Sequence, residues 1–186
     1  MQSWRKTFVF LIGLLMLQGA AGAGETEYNL GVHAYRVQDY TRARQHWQNA
    51  VQEGEPSAMN NLGFLLFNAL GGPRDETRAV SLWTDAAKAG HAESQWHLAD
   101  AFERGKGVKA DMTEAYAWYR CAVASMPAVA QDEEERVMIA DAKNALVRVL
   151  SQLPEDAVDR AEGRARVYVR KFKAKAAGNM PGSAHP

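Results

Sequence analysis

The stretch at residues 75–90, DETRAVSLWTDAAKAG, decides the fold, because its pattern also occurs 36 residues earlier and 36 residues later. A unit of this length cannot bury its apolar face alone, so the three copies are predicted to stack into a solenoid whose exposed concave side is available to a partner. The recurring positions are the aspartates Asp39, Asp75 and Asp111, the alanines Ala43, Ala79 and Ala115, the aromatics Trp47, Trp83 and Tyr119, and the alanines Ala50, Ala86 and Ala122.

Each copy is predicted to form two antiparallel helices. In the second copy, leucines at helical spacing precede a break at residues 71–73, GGP, and a new helix is expected to begin after Asp75. The carboxylate of Asp75, like that of Asp111, can accept hydrogen bonds from the backbone N–H groups of the first helical turn. Gly54 and Gly90 are also 36 residues apart, and we expect them to end helices in the left-handed conformation.

The first copy differs in the turn between its helices. Nine residues separate Leu30 from Asp39, whereas thirteen separate Leu62 from Asp75 in the second copy. The four missing residues shorten the loop and leave the helical register unchanged, so the first copy is predicted to have a tight turn.

The repeated residues resemble those of the Sel1-like repeat, a relative of the tetratricopeptide repeat. Residues 58–63, AMNNLG, then the glycine pair at 71–72 and the alanine and tryptophan stripe match its pattern, and residues 105–122 match it more closely. The resemblance covers about residues 25–126. It implies an all-α protein, a right-handed α-solenoid of helix-turn-helix repeats, with three Sel1-like or tetratricopeptide-like repeats in residues 24–127.

The resemblance also implies a function. Family members act as adaptors that hold proteins together, so a non-enzymatic, protein-binding scaffold is expected. One departure is Ala99, where the family usually has Gly, and we expect it to affect helix packing rather than activity.

The first 23 residues have the order of a secretory signal peptide. Arg5 and Lys6 form a basic start, residues 7–17 are an apolar run too short to span a bilayer, and residues 21–23 form a small-residue cleavage site. We therefore expect cleavage after Ala23 and a periplasmic or secreted mature protein. The alternative is an N-terminal membrane anchor. Since no other stretch is apolar enough, no integral membrane span is expected after cleavage.

The charge balance argues against binding to nucleic acid, and the cysteine content excludes a fold held by intramolecular disulfides. The chain has 22 basic and 22 acidic residues and a formal net charge of zero, so the whole molecule has no electrostatic attraction to nucleic acid. Its single cysteine, Cys121, permits no intramolecular disulfide. The alanine-rich helical run around Cys121 predicts a small buried core residue.

The C-terminal third does not continue the 36-residue period. Residues 128–174 are predicted to form two helices, one from about residue 131 to 150 and one starting at Pro154, which cap the open end of the array. Residues 175–186 lack periodicity and are predicted to be disordered. The second capping helix is basic, which indicates either a patch for an acidic partner or an ordinary solvated face with positive charge near a helix C-terminus.

No pattern in the sequence places catalytic or metal-binding side chains together. HExxH, paired CxxC and P-loop motifs are absent, and His91 and His97, six residues apart, do not share a helical face. The sequence therefore predicts a protein without enzymatic activity, cofactor or metal. Two alternatives stay open: a module that binds cell-wall glycan, and an envelope hydrolase on the repeat scaffold, which would need a compact cluster of His and carboxylate.

One helical stripe is the candidate partner-binding surface. Positions 60, 64 and 67 are spaced i, i+4, i+7, opposite the face of Leu62 and Leu66. In tetratricopeptide-like arrays this stripe lines the concave groove, so the resemblance implies a groove for a protein or peptide of the cell envelope. An aromatic groove edged by carboxylates suits a segment with apolar anchors and basic flanks. The alternative, for Phe64 above all, is that the aromatics fill the core between repeats. The candidate partner-binding residues are Tyr28, Tyr35, Asn60, Phe64, Phe67, Trp96, Asp100 and Glu103.

Overall fold

Helices and the loops between them make up residues 23–130 and 132–178, the part of the chain that the computed structural model describes. The predicted signal peptide lies outside the described residues except for Ala23, and residues 179–186 also lie outside them. No helix in the described part is long and apolar enough to cross a bilayer. The helices are α1 (Ala23–Arg36), α2 (Tyr40–Gln52), α3 (Pro56–Phe67), α4 (Glu76–Lys88), α5 (Ala92–Arg104), α6 (Met112–Ser125), α7 (Glu133–Gln152) and α8 (Glu155–Gly178).

The predicted helix boundaries are confirmed by cap geometry. Asp75 accepts a hydrogen bond from the backbone N–H of Arg78 at 2.9 Å at the start of α4. The residues 36 positions before and after it, Asp39 and Asp111, cap α2 and α6 in the same way. Gly54 follows α2 with a φ of 81°, a conformation that costs little only for glycine. The repeated aspartates therefore fix where the second helix of each copy begins.

The helices stack as a solenoid, which confirms the fold class. Within each repeat the two helices pack on one another, as α1 on α2, α3 on α4 and α5 on α6. Between repeats, α2 packs on α3 and α4 on α5, so the second helix of each copy joins it to the next. Trp47, Trp83 and Tyr119 are 3%, 2% and 1% exposed, as the period predicts for a continuous core.

A glycine lies opposite the indole in each of the first two repeats. Trp83 donates a hydrogen bond from Nε1 to the backbone carbonyl of Asn60 at 3.2 Å. A Cβ atom built on Gly63, one turn further along α3, would lie 2.6 Å from that nitrogen. Only glycine therefore leaves room for the ring at this position. The first repeat has the same arrangement in Trp47, Tyr28 and Gly31.

The third repeat uses a different pair at the equivalent positions. Ala99 replaces the glycine and is fully buried, while Tyr119 replaces the tryptophan. Tyr119 has no indole N–H, and its hydroxyl donates a hydrogen bond to Glu103 at 2.9 Å. Because the smaller phenol ring needs less space, Ala99 fits where the first two repeats require glycine.

The longer loops of the second and third repeats pack against the preceding repeat. Gly71 has a φ of 70°, and a Cβ atom there would lie 2.3 Å from the carbonyl oxygen of Tyr40 at the start of α2. Gly107 has a φ of 69° and the same relation to the carbonyl oxygen of Glu76, at 2.4 Å. Each of these loops therefore packs against the first residue of the second helix in the preceding repeat. Both positions require glycine.

The last two helices both pack on α6 more than on one another. Trp118 of α6 contacts the rings of Tyr168 and Phe172, with centroids 4.6 and 5.2 Å apart. Glu114 accepts hydrogen bonds from Arg164 at 2.5 Å and from the Tyr168 hydroxyl at 3.0 Å. Burial and this carboxylate raise the pKa of Tyr168 to about 12. The exposed end of the third repeat is thus covered by α8.

The structure changes the bounds of the last helix and shows how part of its positive charge is paired. Helix α8 begins at Glu155 and extends to Gly178, whereas the sequence placed its end at residue 174. Two of its arginines form ion pairs, Arg160 with Asp156 and Arg164 with Glu114, so their charge is partly neutralised within the protein.

Cys121 is a buried core residue of α6, as predicted from its surroundings. The side chain is fully buried and forms no disulfide. Burial raises the pKa of its thiol to about 12, so the thiolate is not formed near neutral pH.

Candidate functional site

Three neighbouring cavities with shared lining residues lie along the first helices of the repeats. The first, of about 600 Å³, lies along α1 and α3, and the second, of about 680 Å³, lies between α5 and α7. Both are lined by Glu93. The third, of about 310 Å³, shares Trp96 and Asp141 with the second. We call the three cavities together the groove.

The aromatic end of the groove contains four of the predicted partner-binding residues. Tyr28, Tyr35, Asn60 and Phe64 all line the cavity along α1 and α3. Tyr35 is 36% exposed, and its ring lies 5.5 Å from that of Tyr40. The i, i+4, i+7 spacing therefore does bring the tyrosines and Phe64 to one surface.

Asn60 is buried at the edge of this cavity, although the stripe places it among the candidate partner-binding residues. Only 2% of Asn60 is exposed, and its Oδ1 accepts a hydrogen bond from the Ser94 hydroxyl at 2.9 Å. Since Ser94 belongs to α5, this bond joins the second repeat to the third. A buried amide already satisfied in this way has little capacity left for a partner.

Phe67 lies away from the groove. Its ring packs on that of Trp83, with centroids 5.1 Å apart, and the ammonium of Lys106 lies 5.8 Å above its centroid. Phe67 is the last residue of α3, so its side chain covers the core tryptophan from the loop side. It is not among the residues that line the three cavities.

Trp96 and Asp100 line the groove, but the two predicted carboxylates are already paired. Asp100 accepts a hydrogen bond from Arg104 at 2.7 Å. Glu103 accepts two from Arg148 of α7, at 2.8 and 2.9 Å. The Arg148 guanidinium holds the pKa of the Glu103 carboxyl below its ordinary value. Glu103 therefore attaches α7 to α5, and its negative charge is neutralised within the protein.

Two histidines lie beside the groove, although the sequence did not predict a role for them there. His97 stacks on Trp83, with centroids 4.6 Å apart, and its Nε2 lies 3.6 Å from Glu93. Interaction with His97 lowers the pKa of the Glu93 carboxyl. His91 caps α5, accepting a hydrogen bond from the backbone N–H of Ser94, and burial lowers the pKa of its imidazole. The available signal was the period, because His91 is 36 residues after Glu55, the N-cap of α3.

Helix α7 supplies acidic residues to the groove that the stripe could not predict. Asp132 and Asp141 line the second cavity, together with Glu133 and Glu135. Among the described residues, no group of three or more His, Cys, Asp or Glu is placed to hold a metal ion. The arrangement offers aromatic faces, apolar walls and carboxylates, which are the contacts that a peptide chain uses.

Comparison with known proteins agrees with this architecture. A curated relative, the ERAD-associated E3 ubiquitin-protein ligase component HRD3B of Arabidopsis thaliana, is 27% identical over an alignment of 139 residues that covers 71% of this chain and 23% of that protein. The chain therefore spans about a quarter of that relative's length.

Two solved structures share the fold. One is c5321, a protective antigen present in uropathogenic Escherichia coli strains that displays an SLR fold. It has a TM-score of 0.71 and 22% identity over 92% of this chain and 35% of that one. The other, a Sel1 repeat protein from Oxalobacter formigenes, has a TM-score of 0.52 and 26% identity over 69% of this chain and 98% of that one.

The model of the family described as Sel1 repeat matches residues 24–55, 56–91 and 92–125. These three matches follow one another without a gap, and each contains one of the helix pairs seen in the structure. The chain therefore belongs to the Sel1 repeat family.

Proposed function

We propose that this protein is an exported, non-enzymatic adaptor that binds a protein or peptide of the cell envelope in its groove. The observation that carries the proposal is the succession of three cavities with shared lining residues, which extends from Tyr35 on α1 to Asp141 on α7. An elongated path lined by aromatic and acidic side chains fits a chain-like ligand better than a compact one. The Arabidopsis relative is described as a component of a ligase, which supports a role within an assembly.

Changing Tyr35 and Phe64 together to Ser is expected to abolish capture of the partner. Both side chains line the aromatic end of the groove, and aromatic anchors carry much of the energy of such interfaces. The measurement is affinity capture from an envelope extract, with the retained proteins identified for the parent and the variant.

The matched control replaces two exposed apolar residues outside the groove. Val147 and Val167, which are 69% and 47% exposed, are changed to Ser in a second variant that should capture as the parent does. Circular dichroism and thermal melting show whether both variants remain folded. Undiminished capture by a folded Tyr35→Ser, Phe64→Ser variant would contradict the proposal.

Export is a separate part of the proposal, supported by the order of the first 23 residues. Intact-mass analysis of the protein recovered from the cell envelope or the medium is expected to give a mature chain that starts after Ala23. A recovered chain that still contains Trp4 would refute cleavage at this position.

A further inference from the structure

The end of the groove between α5 and α7 combines an apolar wall with concentrated negative charge. The cavity there, of about 680 Å³, is lined by Trp96, Val137 and Met138 together with carboxylates from both helices. Among the described residues, no lysine, arginine or histidine lines it. The carboxylates are those of Glu93, Asp132, Glu133, Glu135 and Asp141.

The protein's own cations neutralise this end of the groove only in part. Glu133 is paired with Arg136, and Glu93 lies 3.6 Å from Nε2 of His97. Asp141, in contrast, is exposed and has no hydrogen-bond or ion-pair partner within residues 23–130 and 132–178. Asp100 and Glu103 lie on α5, as Glu93 does, and each of their carboxylates is paired with an arginine. Negative charge therefore remains in the second cavity, beside its apolar wall.

The apolar wall of this cavity is incompletely covered. Val137 is 50% exposed on the face of α7 that lines the cavity. An apolar side chain of a bound segment would cover Val137 and remove this surface from water.

We propose that this end of the groove binds a cationic peptide segment, in which a large apolar side chain is flanked by lysine or arginine. The apolar side chain contacts Trp96, Val137 and Met138, and the cation lies among the carboxylates around Asp141. Charge complementarity of this kind selects the partner and speeds its association. The cavity also shares its lining residue Glu93 with the aromatic end of the groove, and this extended arrangement favours a segment of a longer chain over a small cation. This inference rests on the proposed function and specifies the chemistry of its partner.

Selection from a displayed library of short random peptides tests the proposal on the whole mature protein. The selected peptides are expected to carry Lys or Arg beside a large apolar residue, and to bind more weakly as ionic strength rises. A selected peptide should bind the Asp141→Lys variant about tenfold more weakly. The matched control is Asp159→Lys, the same charge reversal at an exposed aspartate of α8, which should leave binding unchanged.

A second matched pair tests the apolar wall. Val137→Ser should weaken peptide binding severalfold, whereas Val147→Ser on the same helix should not. All four variants change exposed residues, so circular dichroism is expected to show unaltered folding.

Three outcomes overturn the inference: recovery of acidic or uncharged peptides, recovery of none, or equal effects of the two charge reversals. These outcomes are distinguishable from failure of the proposed function. If the Tyr35→Ser, Phe64→Ser variant loses partner capture while the selected peptides lack cations, the adaptor function stands and this inference fails. If cationic peptides bind at Asp141 while the groove captures no cellular protein, the adaptor function fails and the cationic site stands.

Discussion

Replacing Trp83 with Ala is expected to lower the free energy of unfolding by about 3–5 kcal/mol. Trp83 is 2% exposed and packs between Phe67 and His97, so truncation removes a large buried ring and leaves a cavity between three helices. It also removes the hydrogen bond from Nε1 to the Asn60 carbonyl, worth about 1 kcal/mol. Such a loss is a large fraction of the 5–15 kcal/mol that is typical of whole domains.

Urea unfolding followed by circular dichroism measures this change. The control is Ser81→Ala, on the exposed face of the same helix, which should shift the free energy by less than about 0.5 kcal/mol. Because His97 stacks on Trp83 and lies beside Glu93, the substitution should also disturb the middle of the groove. If Trp83→Ala and Ser81→Ala unfold at the same urea concentration, the central aromatic does not support the core.

Replacing Gly63 with Ala is expected to destabilise the protein by about 1–3 kcal/mol, although Ala is the better helix former. The added Cβ would lie 2.6 Å from Nε1 of Trp83 and 2.9 Å from Cδ1. The ring cannot move aside easily, because Phe67 and His97 pack against it. In helix propensity Ala gains only about 1 kcal/mol over Gly, so the clash decides the sign.

The third repeat suggests the compensating change for Gly63→Ala. It has Ala99 and Tyr119 where the second repeat has Gly63 and Trp83. In a Trp83→Tyr background, Gly63→Ala should therefore cost far less than in the parent, and a double-mutant cycle should give a favourable coupling of about 0.5–3 kcal/mol. Equal costs of Gly63→Ala in the two backgrounds would exclude this steric explanation.

The sequence predicted the repeats reliably because each signal occurs three times in similar surroundings. A single aspartate is a weak indication of a helix start, and a single aromatic residue is a weak indication of a core position. Repeated every 36 residues, the capping aspartates and the core residues Trp47, Trp83 and Tyr119 identified the same helix in each copy, and the structure confirms both sets. The spacing also identified the face on which Tyr28 and Tyr35 line the groove.

The period could not predict how the next repeat and the ends of the helices pack on individual positions of the stripe. Asn60 is buried by Ser94, 34 residues away, and Phe67 covers Trp83 from the end of its helix. Both positions have the spacing of groove residues. Their burial depends on how the next repeat and the loop after α3 pack, which a helical spacing does not contain.

The sequence by itself thus determined the helical scaffold, the capped helix starts, the aromatic core and the aromatic side of the groove. Only the tertiary structure decided the electrostatics of the groove. Glu103 is neutralised by Arg148, 45 residues further along the chain, while Asp141 in the second cavity has no partner among the described residues. Both residues of α7 lie beyond the repeats, so no periodic signal reports where they dock. The charge that a partner meets is set by this packing, because a carboxylate's contribution depends on which cation lies within a few ångströms of it.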